Sequence, residues 1–208
     1  MSRGHRWFAA WYDRLSAAAE ASYMRPVRAE VAGGARGRVL EIGCGTGANF
    51  PYYDEAAQVT ATEPDPYMLE RARRRARALG HRLELVQAVA EALPFADATF
   101  DAVVATLVFC SVREPGQALA EVRRVLRPGG QLRFYEHVRY GGLLARLQDA
   151  VTPVWRWFGA GCHPNRDTPR LVREAGFRLR RLEMTYPLPP VPPMLLARPH
   201  ALGIAEAS

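Results

Sequence analysis

The sequence predicts an α/β fold, a doubly wound and mostly parallel sheet that ends in an antiparallel hairpin. Three observations predict it. Short apolar runs alternate with amphipathic segments along most of the chain, the pattern of strands that cross over through helices. The first apolar run ends in a glycine cluster, as a strand does when it turns tightly into a ligand-binding loop. The last two strand candidates follow one another across only a proline-rich connection, which marks a terminal pair rather than another crossover.

Taken in order, residues 6–32 read as helical, because Trp7, Phe8, Trp11, Tyr12 and Leu15 recur at helix spacing, with a break before Pro26. Strand β1 is the buried run Arg38–Ile42, and β2 is Val59–Glu63. Asp65 caps the next helix, Pro66 sits in its first turn, and an arginine-rich stretch carries it to a stop at Gly80. β3 is Leu83–Gln87 and β4 is Asp101–Leu107. A helix over Gln117–Leu126 is closed by Arg127-Pro128-Gly129-Gly130, and β5 follows at Gln131–Glu136. The pattern amounts to five strand-then-helix steps. Leu143–Phe158 reads as one or two amphipathic helices interrupted at Pro153, and Asp167-Thr168-Pro169 opens another that stops at Gly176. Phe177–Tyr186 and Pro199–Ala205 are the final strands, joined through Pro187–Pro193.

The 208 residues are enough for a single domain. With 49% hydrophobic and 24% charged residues the chain is globular rather than disordered or fibrous. All 28 basic residues are arginine, which excludes Schiff-base and pyridoxal chemistry and the lysine of a Walker loop. A net charge of +7 leaves nucleic acid, an anionic membrane surface or an acidic small molecule open as partners. Cys44, Cys110 and Cys162 form an odd set without C-x-x-C or zinc-type spacing, so the expectation is a reduced intracellular setting and no metal. Arg3, Arg6, Asp13 and Arg14 interrupt the N-terminal apolar residues, and no stretch approaches the ~20 apolar residues of a membrane span.

The strongest local signal is Gly43-Cys44-Gly45-Thr46-Gly47, directly after β1. Gly43, Gly45 and Ala48 also satisfy the G-x-G-x-x-[GA] dinucleotide fingerprint, with Glu63 about 20 residues on for a ribose hydroxyl. Two features favour a different nucleoside. Glu41, at the strand's end, is expected to face the ligand, where its charge repels a pyrophosphate but suits an ammonium and a sulfonium. Pro51 enters soon after Ala48-Asn49-Phe50, so a phosphate-facing helix start is poorly kept. S-adenosylmethionine fits these residues better than a nicotinamide dinucleotide.

Nearly the whole chain resembles the class I S-adenosylmethionine-dependent methyltransferases, whose Rossmann-like sheet has seven strands. Glu41-Ile42-Gly43-Cys44-Gly45-Thr46-Gly47 is similar to their E/D-x-G-x-G-x-G motif. That likeness implies that these residues, with Asn49, meet the methionine part of the cofactor. Glu63 matches the ribose-binding acid, with Pro64 beside it, and Met68 the apolar cover of the adenine. Ala90 and Glu91 are implied near the adenine edge, where Val89 replaces the family's frequent acid. Thr106 and Leu107, at the end of β4, complete the cofactor side, and Tyr12 matches a tyrosine that closes over the cofactor's carboxylate. Glu91-Ala92-Leu93-Pro94-Phe95 and Arg127-Pro128-Gly129-Gly130 fit the same order of motifs. The implied layout is one domain over 1–208: an N-terminal helical lid at 1–35, a cofactor half at 36–137 and an acceptor side at 138–208.

Within that family, Thr106-Leu107-Val108-Phe109-Cys110-Ser111-Val112, Glu136-His137-Val138, Gly161-Cys162, Arg166-Asp167-Thr168 and Arg198-Pro199-His200 resemble the animal thiol methyltransferases. Those relatives begin with a hydrophobic anchor that has no counterpart in this sequence. The resemblance implies methyl transfer to a small apolar thiol; phospholipid N-methyltransferases and quinone or menaquinone C-methyltransferases share much of the pattern and stay as alternatives. Minor alternatives are a nicotinamide-dependent oxidoreductase, a nucleic-acid methyltransferase and a non-catalytic cofactor-binding protein. A thiol attacks as thiolate, so His137 and His163 are the candidate catalytic residues, with catalysis mainly by proximity. Trp11, Phe109, Cys110, Arg139, Cys162 and Arg166 are the candidate acceptor contacts. Arg71-Ala72-Arg73-Arg74-Arg75-Ala76-Arg77 has no interleaved aromatic on which a base could stack, so no nucleic-acid partner is expected. The expectation is a cytoplasmic monomer or homodimer, with the N-terminal helix available for peripheral membrane contact.

Overall fold

The computed structural model describes residues 19–80, 83–158, 161–188 and 194–207. The sequence assignments at Trp11 and Tyr12 lie outside these residues. Seven strands form one sheet in the order β3-β2-β1-β4-β5-β7-β6, with β1 Arg38–Ile42, β2 Gln58–Thr62, β3 Glu84–Val86, β4 Phe100–Thr106, β5 Leu126–His137, β6 Phe177–Thr185 and β7 His200–Ala207. β7 runs antiparallel to both β5 and β6, whereas β1 to β5 pair in parallel. The predicted hairpin is therefore present, and its second strand is inserted beside β5. Gly203 makes that insertion possible: a Cβ there would lie 2.2 Å from the Phe134 ring.

The helices are α1 Arg25–Val31, α2 Pro66–Ala78, α3 Pro115–Val125, α4 Gly142–Phe158 and α5 Thr168–Glu174. A π-helical turn at Glu20–Met24 precedes α1, and Pro26 occupies the first turn of α1, where its missing N–H is no loss. Asp65 caps α2 by accepting from the Tyr67 and Met68 amides, and Asp167 caps α5 through the Arg170 amide. Four details differ from the sequence reading. The β1–β2 connection holds only a 3-10 turn at Phe50–Tyr52, and the β3–β4 connection holds no helix, so two of the five strand-then-helix steps are loops. α4 runs unbroken through Pro153. The 127–130 turn is a bulge inside β5, because Leu126 already pairs with Phe100 before Gln131 resumes with Ala102.

Strand alternation sorts the core onto two faces. Leu40, Ile42, Val103, Leu132 and Phe134 pack against Leu119 and Val122 of α3 and Val172 of α5. Val39, Val59, Val104 and Tyr135 pack on the other face with Val31 of α1 and Ala72 and Ala76 of α2. The chain order reverses between β1 and β4, and in open parallel sheets a ligand crevice lies beyond the strand ends at that reversal.

Candidate active site

The loop after β1 crosses this crevice. Gly43, Gly45 and Gly47 all have positive φ, at 59°, 57° and 81°, a conformation that L side chains rarely adopt. A Cβ on Gly47 would lie 2.3 Å from the Phe50 ring, whereas one on Gly45 would meet nothing within 4 Å. Gly45 thus leaves its backbone open to a ligand. Glu63, just past β2, holds this loop in place: its carboxylate accepts from the Gly45 amide at 2.9 Å and from the Asp65 amide at 2.9 Å. Burial pushes its carboxyl up, against those two donors.

Glu41 does not face the crevice. Period-two alternation places it on the α1 side of the sheet, 2% exposed. Its oxygens accept from Asn49 Nδ2 at 2.9 Å and Tyr53 Oη at 2.8 Å. Asn49 Oδ1 accepts in turn from Arg28 at 2.6 Å, and Arg28 is paired with Glu20. Asn49 Nδ2 also reaches Thr106 Oγ1 at 3.1 Å. Glu41, Asn49 and Thr106 are therefore a polar floor beneath the loop, and the expected ligand-facing carboxylate at Glu41 is corrected to a buried support.

Burial pushes the Glu41 carboxyl up from 4.5 to about 7, opposed by its Tyr53 and Asn49 donors and by Arg28. Between those values the folded chain keeps a proton that the unfolded chain releases. Stability therefore falls as pH rises from 4.5 to about 7 and levels off above it, a loss of at most about 3 kcal/mol. Urea unfolding at pH 5 and pH 8 is expected to show a smaller difference for Glu41→Gln than for the wild type; equal differences would refute the assignment.

The loop after β4 is pinned from below. Leu107 has φ 59°, a left-handed strain for a non-glycine residue. The next three amides, of Val108, Phe109 and Cys110, all donate to the Glu136 carboxylate at 2.7, 2.9 and 3.0 Å. Glu136 is fully buried, and burial pushes its carboxyl up against these three donors. The sequence reading quotes it only within the Glu136-His137-Val138 motif and gives it no role. The available signal was its parity: it shares the Leu132 and Phe134 face, where a carboxylate needs dedicated partners.

Beyond the ends of β4 and β5, Cys110, His137 and Cys162 converge. His137 Nδ1 lies 3.7 Å from Cys110 Sγ and 3.6 Å from Cys162 Sγ. His163 donates its amide to the Cys110 carbonyl at 2.6 Å and places Nδ1 3.3 Å from the same oxygen. A carbonyl only accepts, so Nδ1 carries the ring proton and Nε2 is the basic atom. Burial, with Arg166 and Arg156 nearby, lowers the His163 pKa and favours the neutral ring. Gln148, also missed from sequence and fully buried, ties α4 to this segment by donating to the Pro164 and Leu196 carbonyls and accepting from the Tyr140 amide.

Four further assigned residues have protein partners or a core position. The Arg139 guanidinium is held by both oxygens of Asp149, one at 2.6 Å. Arg166 donates to the Phe109 and Val112 carbonyls at 2.5 and 2.6 Å, so it clamps the loop. The Phe109 side chain is fully buried in the core rather than lining an opening. Glu91 accepts from the Arg113 and Glu114 amides and supports the approach to α3. Cys44 and Thr46 of the loop, Met68 of α2 and Ala90 are buried, with Pro64 partly exposed beside Glu63. His200, cross-strand from His137, stacks on Tyr135 with ring centroids 4.9 Å apart.

A family profile described as a methyltransferase domain matches residues 40–134. The chain is 40% identical over 179 residues to the human thiol S-methyltransferase TMT1B, covering 83% of this chain and 72% of that protein. The chain belongs to the methyltransferase family. The human thiol S-methyltransferase TMT1A is 36% identical over 173 residues, covering 80% of this methyltransferase and 69% of its relative. Among solved structures, a methyltransferase from Thermotoga maritima described as a possible histamine N-methyltransferase superposes with a TM-score of 0.72 at 22% identity over 98% of each chain. The methyltransferase thus shares its fold with that enzyme. Among the described residues no helix is long and apolar enough to cross a membrane.

Proposed function

We propose that this methyltransferase transfers the methyl group of S-adenosylmethionine to the sulfur of a small apolar thiol. One observation carries the reading: the likeness to the thiol S-methyltransferase TMT1B spans 83% of the chain, far more than the 40–134 segment of the methyltransferase domain. It therefore includes parts of the chain outside the common cofactor half.

The residues present fit the cofactor. A carboxylate offers about four acceptor sites, and the described residues use one on each Glu63 oxygen. The remaining pair suits two adjacent ribose hydroxyls. The open backbone at Gly45 admits the methionine part of the ligand. When bound, S-adenosylmethionine supplies a methyl carbon activated by its sulfonium. The chain's own tasks are to orient the acceptor, exclude water and help the thiol ionise. We assign the Glu136-pinned loop and the Cys162–Arg166 segment to the acceptor wall, with the neutral His163 ring beside it.

The test is a mass-spectrometric product screen in which the protein meets S-adenosylmethionine with a short alkyl thiol, a quinol or phosphatidylethanolamine. The expected result is a methyl thioether and S-adenosylhomocysteine in equal amounts. A methylated quinol or amine without any thioether overturns the reading.

A further inference from the structure

Cys110 follows β4, His137 ends β5 and Cys162 lies between α4 and α5, so three separate segments deliver one cluster. Their two Sγ atoms and one ring nitrogen all lie within 4.8 Å of one another. A single Nδ1 makes only one hydrogen bond, as donor or as acceptor, yet both sulfurs approach it at 3.6–3.7 Å. Two thiolates and an imidazole lone pair around one cation resolve that mismatch. Zinc bonds of ~2.3 Å to sulfur and ~2.05 Å to nitrogen, set at the tetrahedral angle, give an S···N edge of about 3.6 Å, which is the separation observed.

The surroundings hold these atoms in place. The Cys110 amide is fixed by Glu136, and the Cys110 carbonyl by His163, the residue after Cys162. The His137 ring packs against His200 with centroids 4.3 Å apart. His200 is fully buried, stacked on Tyr135 with its Nδ1 2.9 Å from the Arg198 carbonyl, and its Nε2, beside the cluster, has no partner among the described residues. Three protein ligands, two of them soft thiolates, match zinc sites that keep their fourth position for water or substrate.

We propose that Cys110, His137 and Cys162 bind one Zn²⁺ whose fourth position takes the sulfur of the acceptor thiol. The proposal rests on the thiol-methylating reading above and deepens it. The acceptor R–SH displaces a water, loses its proton to solvent and binds as R–S⁻, since a coordinating thiol is deprotonated. The sulfur's electron pair then forms the new S–CH₃ bond while the methyl–sulfonium bond breaks, its electrons returning to the cofactor sulfur. The neutral thioether is a weak ligand and leaves, water returns, and zinc remains Zn²⁺ throughout.

The experiment is a Co²⁺ titration of metal-stripped full-length protein under a non-thiol reductant, followed by addition of a short alkyl thiol. Wild type is expected to bind one Co²⁺ per chain with a thiolate-to-cobalt charge-transfer band, and the thiol to intensify that band. Cys162→Ser and His137→Gln, with S-adenosylhomocysteine binding as the check on folding, are expected to weaken metal binding by at least ~10-fold. Absence of the charge-transfer band in the folded protein overturns the site. A cobalt band that ignores added thiol overturns the placement of the acceptor. Thiol methylation at full rate by the metal-free protein overturns the metal's role and leaves the S-methylating reading standing.

Discussion

Glu136→Ala is expected to lower the unfolding free energy by about 3–5 kcal/mol and to reduce methyl transfer by roughly 100-fold or more. The loop after β4 begins with a strained Leu107 and then turns three consecutive amides inward onto one carboxylate. Without that carboxylate, three donors lose their acceptor in the core, each at about 1–3 kcal/mol if the loop does not rearrange. Rearrangement is the cheaper course, and it carries Cys110 and the His163 contact out of register with His137. Glu136→Gln separates the contributions. Its amide oxygen can still serve Val108 and Phe109, which both donate to one oxygen, but its NH₂ faces the Cys110 amide. An intermediate loss is therefore expected from glutamine, with faster hydrogen exchange concentrated at residues 108–110. Urea unfolding that places Glu136→Ala within 1 kcal/mol of wild type would show that the carboxylate does not hold the loop.

Why Glu136 escaped sequence reasoning while the glycine loop did not is a matter of range. The bounds of β1 are legible because Gly37 and Gly43 flank one short run, and both helix caps at Asp65 and Asp167 are legible because a cap acts on amides two or three residues away. The β5 bulge reads as a turn in the sequence, because the pairing of Leu126 with Phe100 that makes it a bulge lies across the sheet. Pro153 suggested an interruption, yet α4 continues through it, since tertiary packing can outweigh one missing hydrogen bond. In the site, Glu63 and its loop lie within one short stretch, the β1–β2 connection and the residue just past β2. Cys110, His137 and Cys162 are separated by 27 and 25 residues, so no local spacing marks them as a group. Glu41 shows the converse error: its motif position was legible, but the face it presents depends on α1 and Asn49, which close over it.

Glu63→Ala is expected to weaken S-adenosylhomocysteine binding by roughly 10²–10⁴-fold, the sum of two hydrogen bonds to a charged acceptor at about 1.5–3 kcal/mol each. Two roles meet in this side chain. It accepts from the Gly45 and Asp65 amides, which sets the loop, and its remaining acceptor sites are assigned to the ribose hydroxyls. Calorimetry with a 2′-deoxy analogue separates them. If Glu63 recognises the sugar, removing the hydroxyl costs wild type about 10-fold or more and costs the alanine variant almost nothing, because the partner is already gone. If Glu63 only shapes the loop, the deoxy penalty is equal in both proteins and sugar recognition lies elsewhere. Glu63→Gln is expected to fall between wild type and alanine, since one oxygen still accepts while the NH₂ faces a backbone donor. An alanine variant that binds within threefold of wild type would remove Glu63 from the binding site altogether.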